Sequence, residues 1–262
     1  MKIVVCIKQV PDTTDIKVDP ETGTLKRETA GTVMNPFDMY AVEEGLRIKE
    51  KIGGTVSVLT MGPPMAKEII KVAIGMGVDE GYLLTDPKLA GSDTWATSYA
   101  LSKAIQKIGF DIVLFGKQAI DGDTAQVGPS TAEYLDIPCI TWVKKIREIN
   151  EKEIIAERMM EDGVDVVKSP LPVALTVVKE INEPRLESLK GKMRAKKYEP
   201  ITMDLAAIGG DETKVGLKYS PTRVKQTWSA KREPGKAEML TGEPDEIAEK
   251  LLNKLKELGC LK

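Results

Sequence analysis

The stretch that decides the fold runs from Phe110 to Leu135 and reads F-D-I-V-L-F-G-K-Q-A-I-D-G-D-T-A-Q-V-G-P-S-T-A-E-Y-L. Phe110 to Phe115 form a short, almost continuous apolar run, which is typical of a strand buried on both faces of a sheet. The pattern breaks after Gly116, and from Thr124 the spacing of the apolar residues predicts a helix. The stretch therefore predicts a strand, a glycine- and hydroxyl-rich turn and a helix in succession.

The start of this helix is a candidate anion pocket. Gly128 and Pro129 tighten its first turn, and free backbone N–H groups at a helix start attract phosphate through their partial positive charge. No Walker lysine motif or GxGxxG accompanies the turn. The residues alone leave two interpretations open, namely a nucleotide-binding turn and an ordinary strand-to-helix connection capped by Asp123 or Thr124.

The chain before this stretch alternates predicted strands and helices. The predicted strands are Ile3 to Ile7, Thr55 to Thr60, Tyr82 to Leu84 and Ile112 to Phe115. The predicted helices are Met39 to Lys51, Met65 to Met76 and Thr94 to Ile108. Such alternation predicts an α/β fold with a mostly parallel, doubly wound, Rossmann-like sheet, in which ligands bind at the carboxyl ends of the strands.

Four segments that follow predicted strands are expected to converge on one cleft. They are Pro11 to Pro36, Met61 to Pro64, Gly91 to Thr97 and the turn of the opening stretch. The first is long, and its turn signals at Pro20 and Gly23 favour a small hairpin, either functional or decorative. In the third, Asp93 is suited to cap the next helix, while Thr94 and Thr97 present hydroxyls one turn apart.

The pattern changes after Trp142. Three segments predict an antiparallel meander added to the parallel sheet: Val143 to Ile149, Glu153 to Arg158 and Val164 to Lys168. Leu171 to Val178 returns to a buried strand, and a basic surface segment follows it. We expect residues 1–203 to form the nucleotide-binding domain, and residues 204–262 to form a C-terminal arm and helix. Asp204 to Pro234 has too few large apolar residues for its own core and is expected to be disordered or to wrap another surface. Glu243 to Leu258 predicts an amphipathic helix.

Composition excludes several kinds of chemistry. The 262 residues include no histidine, which excludes Ser/His/Asp and Cys/His catalysis and removes the commonest metal ligand. Cys6, Cys139 and Cys260 lack C-x-x-C spacing, so no metal site is predicted, and Cys6 is expected in the core. A net charge of -2 gives no general attraction to nucleic acid. With no signal peptide or apolar run long enough to insert into a membrane, a cytoplasmic protein is expected.

Several blocks of the sequence match a known family. They are I-V-V-C-I-K-Q-V near the start, M-N-P-F-D-M-Y-A-V-E-E (Met34 to Glu44), G-K-Q-A-I-D-G-D-T-A-Q-V-G-P (Gly116 to Pro129) and N-E-P-R (Asn182 to Arg185). Over nearly its full length the chain resembles the beta (small) subunit of electron-transfer flavoproteins. Asp165 and Ala174 are chemically mild departures from the family pattern.

The resemblance implies a heterodimer with an alpha subunit that holds an electron-carrying FAD. In ordinary members the beta subunit carries a structural AMP. In the electron-bifurcating group a second FAD replaces that AMP and accepts a hydride from NADH. One electron then goes to ferredoxin or flavodoxin, and the other passes through the alpha-subunit FAD to an acyl-CoA dehydrogenase-type flavoenzyme. The blocks D-G-D-T-A-Q-V-G-P and G-S-D-T-W-A-T-S-Y resemble the bifurcating group, with the AMP-carrying type as the alternative.

The resemblance also implies residue roles. The nucleotide-binding set comprises Cys6, Lys8, Asn35, Met61, Asp93, Thr94, Thr97, Asp121, Asp123, Thr124, Ala125, Gln126, Val127, Gly128, Pro129, Ser130 and Thr131. Cys6, Asn35 and Met61 would border the adenosine half, and Gln126 to Thr131 would hold the phosphates. A recognition loop at about residues 182–197 would bind the partner dehydrogenase, with Leu189 as anchor. Its predicted contact residues are Asn182, Pro184, Arg185, Leu186, Leu189 and Met193.

Overall fold

The protein is described by a computed structural model over residues 1–12, 31–224 and 238–261. The strands are β1 (Lys2–Cys6), β2 (Gln9–Pro11), β3 (Thr32–Met34), β4 (Thr55–Met61), β5 (Glu80–Leu84), β6 (Ile112–Gly116), β7 (Cys139–Ile149), β8 (Glu153–Met159), β9 (Val164–Pro170), β10 (Val173–Val177) and β11 (Ile201–Met203). The helices are α1 (Pro36–Ile52), α2 (Lys67–Met76), α3 (Thr94–Ile108), α4 (Val127–Leu135), α5 (Leu189–Lys196), α6 (Gly216–Tyr219) and α7 (Pro244–Glu257).

The main sheet has the strand order β11-β5-β4-β1-β6-β10-β7-β8-β9 within the described residues. Pairing is parallel from β11 through β7 and antiparallel for β7 with β8 and β8 with β9. Strands β2 and β3 form a separate antiparallel pair. This topology confirms the predicted mostly parallel α/β sheet with an antiparallel extension.

Helices cover both faces of the parallel strands because the strands are apolar on both sides. Alternate residues of β1 enter two different core clusters, Ile3 and Val5 on one face and Val4 and Cys6 on the other. The first face packs against α1 and α2, and the second packs against α3 and α4. Cys6 is buried, as its apolar surroundings in the sequence predicted.

The strand order reverses at β1. The chain proceeds from β1 outward through β4 and β5, and then crosses to the other side of β1 to form β6. In a parallel α/β sheet this reversal opens a crevice at the carboxyl ends of the two central strands. Lys8 follows β1 at that edge, and Gly116 ends β6 there.

Two local predictions require correction, and a third is not tested. Helix α4 begins at Val127, and its N-cap position is held by Gln126 without a side-chain cap, so the predicted capping by Asp123 or Thr124 is wrong. The basic surface segment contains a helix, α5, because the Ser188 hydroxyl accepts from the N–H of Gly191 and starts it. The turn signals predicted at Pro20 and Gly23 lie outside the described residues.

The segment after β11 joins the core of the α/β unit. Leu205, Ile208 and Val215 are buried in the cluster that contains α3, so this part of the arm packs on the domain. The compact unit runs from Met1 to Lys225, beyond the boundary expected after residue 203. A second unit, residues 226–262, contains α7, which confirms the predicted C-terminal amphipathic helix. Among the described residues, each helix is too short or too polar to cross a membrane.

Candidate nucleotide-binding site

The loop that leaves β6 is fixed by the side chain of Asn35. This residue precedes α1, and its amide Nδ2 donates to the Gln118 carbonyl at 2.8 Å, while its Oδ1 accepts from the Ile120 N–H at 3.2 Å. Only 1% of Asn35 is exposed. Asn35 therefore binds the loop through both ends of its amide and sets the position of residues 118–121 at the crevice.

A salt bridge spans the point where the strand order reverses. Lys8 Nζ lies 2.7 Å from Asp121 Oδ1 and donates to both carboxylate oxygens. Lys8 follows β1, and Asp121 belongs to the loop after β6. Both side chains remain partly exposed, so the pair contributes little stability by itself. The salt bridge instead helps to hold the two edges of the crevice together, because it links the residue after β1 to the loop after β6.

Beneath this pair lies Asp38, which the sequence prediction did not select. Its Oδ2 accepts from the Lys8 N–H at 2.7 Å, and the backbone N–H of Gly116 also donates to the carboxylate. Burial raises the pKa of Asp38 to about 7, against the opposing effect of these hydrogen bonds. Burial also raises the pKa of the neighbouring Cys6 thiol, and the charge of Asp38 adds to that shift. The only sequence signal for Asp38 is an acidic residue in the first turn of a helix that begins with proline.

The start of α4 presents the free donors that the sequence predicted. Within the described residues, the backbone N–H groups of residues 124–128 have no hydrogen-bond acceptor. Asp123 and Ala125 have φ values of 54° and 53°, in a region that non-glycine residues rarely adopt. Such strain indicates that the surrounding structure holds the loop in a defined shape. Unpaired N–H groups at a helix start are chemically suited to a phosphate.

Gly128 allows α4 to approach the sheet closely. A Cβ at this position would lie 2.6 Å from Thr176 Cγ2 and 3.4 Å from the Phe115 ring. Any side chain would thus push the helix start away from β6 and β10. The close approach and the free donors together form a cradle, defined as residues 124–130, that fits a phosphate-bearing ligand.

The start of α3 lies beside this cradle. Thr94 Oγ1 and Gln126 Oε1 are 3.3 Å apart, and the Ser98 hydroxyl donates to the Val127 carbonyl at 3.3 Å. The starts of α3 and α4 therefore meet at the same place, which brings together two of the four segments predicted to converge. Thr97 is half-buried on the same turn of α3 as Thr94.

Asp93 has a structural role in α3. Its Oδ1 caps the helix by accepting from the Ala96 N–H at 3.1 Å, and its Oδ2 accepts from the N–H and hydroxyl of Thr222 at 2.9 and 2.8 Å. Burial opposes ionisation of Asp93, but these hydrogen bonds outweigh it and lower the pKa of the carboxyl. The predicted capping is confirmed, and the carboxylate also holds the segment after α6.

Two other residues that were predicted to bind the nucleotide are less accessible to a ligand than the cradle. Thr131 is fully buried, and its hydroxyl donates to the Val127 carbonyl at 2.7 Å, so it faces the interior. Met61 ends β4 and is half-buried at the same edge of the sheet. Ser130 is half-buried one residue earlier in α4, so the cradle has one hydroxyl at this turn.

Comparison with known proteins gives the family. A family model for the electron transfer flavoprotein domain matches residues 22–208. The electron transfer flavoprotein subunit beta of Thermoanaerobacterium thermosaccharolyticum is 48% identical over 258 residues, which cover 97% of this chain and 98% of that protein. This chain is an electron-transfer flavoprotein beta subunit by family.

Two further relatives belong to differently named systems. Subunit CarD of the caffeyl-CoA reductase-Etf complex of Acetobacterium woodii is 48% identical over 262 residues, covering 98% of each chain. Protein FixA of Azotobacter vinelandii is 43% identical over 265 residues, covering 97% of this chain and 94% of that protein. The similarity to all three extends over nearly the whole chain.

In this protein, hydrogen bonds and ion pairs attach the first part of the predicted recognition loop to α1. The Arg185 guanidinium donates to Glu43 Oε2 at 2.8 Å and to Glu50 Oε1 at 2.6 Å. The amide of Asn182 donates to the Tyr40 carbonyl and to Glu44 Oε2, each at 3.0 Å. Burial raises the pKa of Glu43, but the hydrogen bonds from its arginine partners outweigh that effect and hold it below its usual value. The side chains of Asn182 and Arg185 therefore bind to α1.

The apolar residues of the same segment face outward. Leu186 is 91% exposed, Leu189 is 79% exposed and Met193 is 63% exposed. Helix α5, which carries Leu189 and Met193, packs on α2 so closely that a Cβ on Gly191 would lie 2.0 Å from the Gly75 carbonyl oxygen. We refer to Leu186, Leu189 and Met193 as the apolar ridge. The predicted contact residues therefore fall into two groups. Asn182 and Arg185 attach the segment to α1, whereas the residues of the apolar ridge are exposed.

Proposed function

We propose that this beta subunit binds FAD at the cradle and works in a heterodimeric, electron-bifurcating electron-transfer flavoprotein. The observation that carries the proposal is the set of free N–H groups at residues 124–128, beside the point where the strand order reverses. Parallel α/β sheets bind nucleotides at this point, and helix starts bind their phosphates. The alternative, favoured by the same cradle, is a structural AMP in a non-bifurcating complex.

The chain's own residues would hold the phosphates without a dedicated lysine. Each hydrogen bond from a cradle N–H to an ionised phosphate would contribute roughly 1.5 to 3 kcal/mol. The Ser130 hydroxyl would add a donor, and the Lys8–Asp121 pair would line the opposite edge. Because these donors are fixed before the ligand arrives, little ordering entropy would oppose binding.

The bound flavin would supply the hydride and electron-transfer chemistry, with NADH as the donor. The chain would orient the nucleotide and exclude water around it. Thr94 and Thr97 at the start of α3 are proposed to border the flavin side of the site, since Thr94 contacts Gln126. This role requires positioning and electrostatic tuning, so the absence of histidine is compatible with it.

The partners follow from the subunit type and the apolar ridge. We propose pairing with an alpha subunit that holds a second FAD, and electron delivery to ferredoxin or flavodoxin and to an acyl-CoA dehydrogenase-type flavoenzyme. The relative CarD is named as a subunit of a caffeyl-CoA reductase complex, which supports a partner that acts on acyl-CoA. Cys6, Cys139 and Cys260 are free thiols, which favours the reducing cytoplasm.

The cofactor content of the purified heterodimer tests this function. Both subunits would be co-expressed, and the nucleotides released by denaturation would be separated and quantified against protein. We expect two FAD per heterodimer and bleaching of flavin absorbance on addition of NADH. One FAD with one AMP would reject the bifurcating proposal and support the alternative. A heterodimer with neither nucleotide in the beta subunit would reject the cradle.

A further inference from the structure

Asp38 connects the ends of the two central strands at the crevice. Its carboxylate accepts one N–H from Lys8, just after β1, and another from Gly116, at the end of β6. The contact with Gly116 is so close that a Cβ there would lie 2.4 Å from Asp38 Oδ1. Asn35 bonds the same carboxylate and also fixes the loop that carries Asp121. The Asp38 side chain therefore contacts the backbone at the ends of both central strands, together with the residue that fixes the loop after β6.

The charge of this carboxylate is poorly compensated. Asp38 is only 6% exposed, and none of the described cations forms an ion pair with it. The nearest cation is Lys8, whose ammonium group is bonded to Asp121. Burial raises the pKa of the Asp38 carboxyl to about 7, although the hydrogen bonds from Asn35, Lys8 and Gly116 and the charge of Lys8 oppose that shift.

We propose that Asp38 is a positioning residue that couples nucleotide binding to protonation of its own carboxyl group. This inference rests on the proposed function, because it requires a phosphate-bearing ligand in the cradle. Such a ligand places negative charge at a crevice whose edges Asp38 holds. Like charges close together disfavour ionisation of one of them, so binding takes up protons at Asp38.

The groups facing Asp38 support assignment of the proton to this residue. They are Lys8 after β1, the Cys6 thiol of β1, the neutral amide of Asn35 and, beyond Lys8, the carboxylate of Asp121. The Cys6 thiol stays neutral near pH 7, since burial and the charge of Asp38 both raise its pKa. Among the described residues that contact Asp38, the Asp38 carboxyl is therefore the group that titrates near neutrality.

The experiment is calorimetric titration of the full chain with AMP between about pH 6 and about pH 8.5, in pairs of buffers with different ionisation enthalpies. We expect proton uptake on binding, greatest near pH 7, and an affinity that weakens up to about tenfold as the pH rises, for a pKa change of about one unit. The buffer comparison measures proton uptake directly on the unmodified protein, so it does not depend on any variant folding.

Asp38→Asn keeps the size of the side chain and removes its ionisation, so the proton uptake and the fall in AMP affinity that the unmodified chain shows above about pH 7 should vanish. The AMP phosphate, whose own pKa is about 6, contributes the same proton change in both proteins. Asp162→Asn is the matched control, because it removes an exposed carboxylate in the turn between β8 and β9, outside the proposed site, and should keep the proton uptake. If the unmodified chain binds AMP without proton uptake, or if Asp38→Asn keeps it, the inference is wrong and the proposed function stands. If the unmodified chain and the heterodimer bind neither AMP nor FAD, the proposed function fails and the inference fails with it.

Discussion

Gly128 shows how a single residue shapes the site. Its α-carbon lies against Thr176, and Thr176 Oγ1 accepts from the Trp142 N–H at 3.0 Å, so the helix start is braced by two neighbouring strands. Trp142 has a φ of 59° and lies with its ring 4.1 Å from Lys117 Nζ. The packing around Gly128 is close, and the cradle takes its shape from it.

Replacing this glycine provides a direct test of the cradle. In Gly128→Ala the new methyl group would meet Thr176 at 2.6 Å, so α4 must shift. We expect a loss of about 1 to 3 kcal/mol in the free energy of unfolding and a weaker affinity for AMP. Thermal unfolding and calorimetric titration would measure both.

Gly122→Ala is the control, because nothing lies within 4 Å of the added Cβ and Gly122 has no positive φ. It should leave both quantities nearly unchanged. Equal AMP affinity in Gly128→Ala and the unmodified chain would contradict the assignment of the phosphates to this helix start.

At the level of elements, α1 supports two different surfaces. Its first turn carries Asp38 at the ends of β1 and β6, and its middle carries Glu43, which binds Arg185 and Arg47. The Arg185–Glu43 contact is bidentate and joins residues far apart in the chain, which makes it geometrically specific. Helix α1 thereby fixes both the edge of the crevice and the segment that leads into the apolar ridge.

The apolar ridge is predicted to bind the dehydrogenase partner, and Leu189 on α5 is the residue to test. Leu189→Ala should slow electron delivery to the dehydrogenase partner by about 10- to 150-fold at limiting partner concentration, because burial of a leucine side chain contributes roughly 1.5 to 3 kcal/mol. Flavin content should not change, since Leu189 lies on α5 and outside the cradle. Stopped-flow reduction of the partner by the reduced heterodimer would measure the rate.

Val166→Ala is a matched control on β9, at the far edge of the sheet, where an apolar side chain is likewise exposed. Its transfer rate should equal that of the unmodified heterodimer. Unchanged kinetics in Leu189→Ala would remove Leu189 as the anchor, and an equal loss in Val166→Ala would show that the effect is not specific to the ridge.

At the scale of the whole molecule, the chain divides into two compact units. The first, residues 1–225, contains both core clusters and the cradle. The second, residues 226–262, contains α7, none of whose residues is buried. An amphipathic helix whose apolar residues belong to neither core cluster is typical of a surface that another chain covers, and we propose the alpha subunit for this role.

Truncation after Lys225 tests that division. Because the first unit has its own core, the shortened chain should unfold cooperatively within a few degrees of the melting temperature of the full chain. AMP affinity should be retained, while co-purification with the alpha subunit should be lost or strongly reduced. Undiminished heterodimer formation would contradict the role of the second unit, and loss of the folded state would contradict the independence of the first.

The sequence alone determined those features that depend on a few neighbouring residues, namely the type and order of the helices and strands. The run Phe110 to Phe115, the break after Gly116 and the spacing from Thr124 predicted β6, its turn and α4, because hydrophobic periodicity and turn residues act over a few neighbouring positions. The same reasoning placed the antiparallel strands after Trp142 and the C-terminal helix. It placed the start of α4 too early, because helix ends depend on local hydrogen bonds that composition does not specify.

Only the tertiary structure decided which distant residues share the site. Asp38, Lys8 and Gly116 meet because β1 and β6 pair side by side, and the sequence carries no signal for that pairing at these residues. The turn of Thr131 toward the interior and the attachment of Arg185 to Glu43 have the same origin. Periodicity records which side of an element is apolar, whereas the direction of a polar side chain depends on the partner that the fold brings within hydrogen-bonding distance.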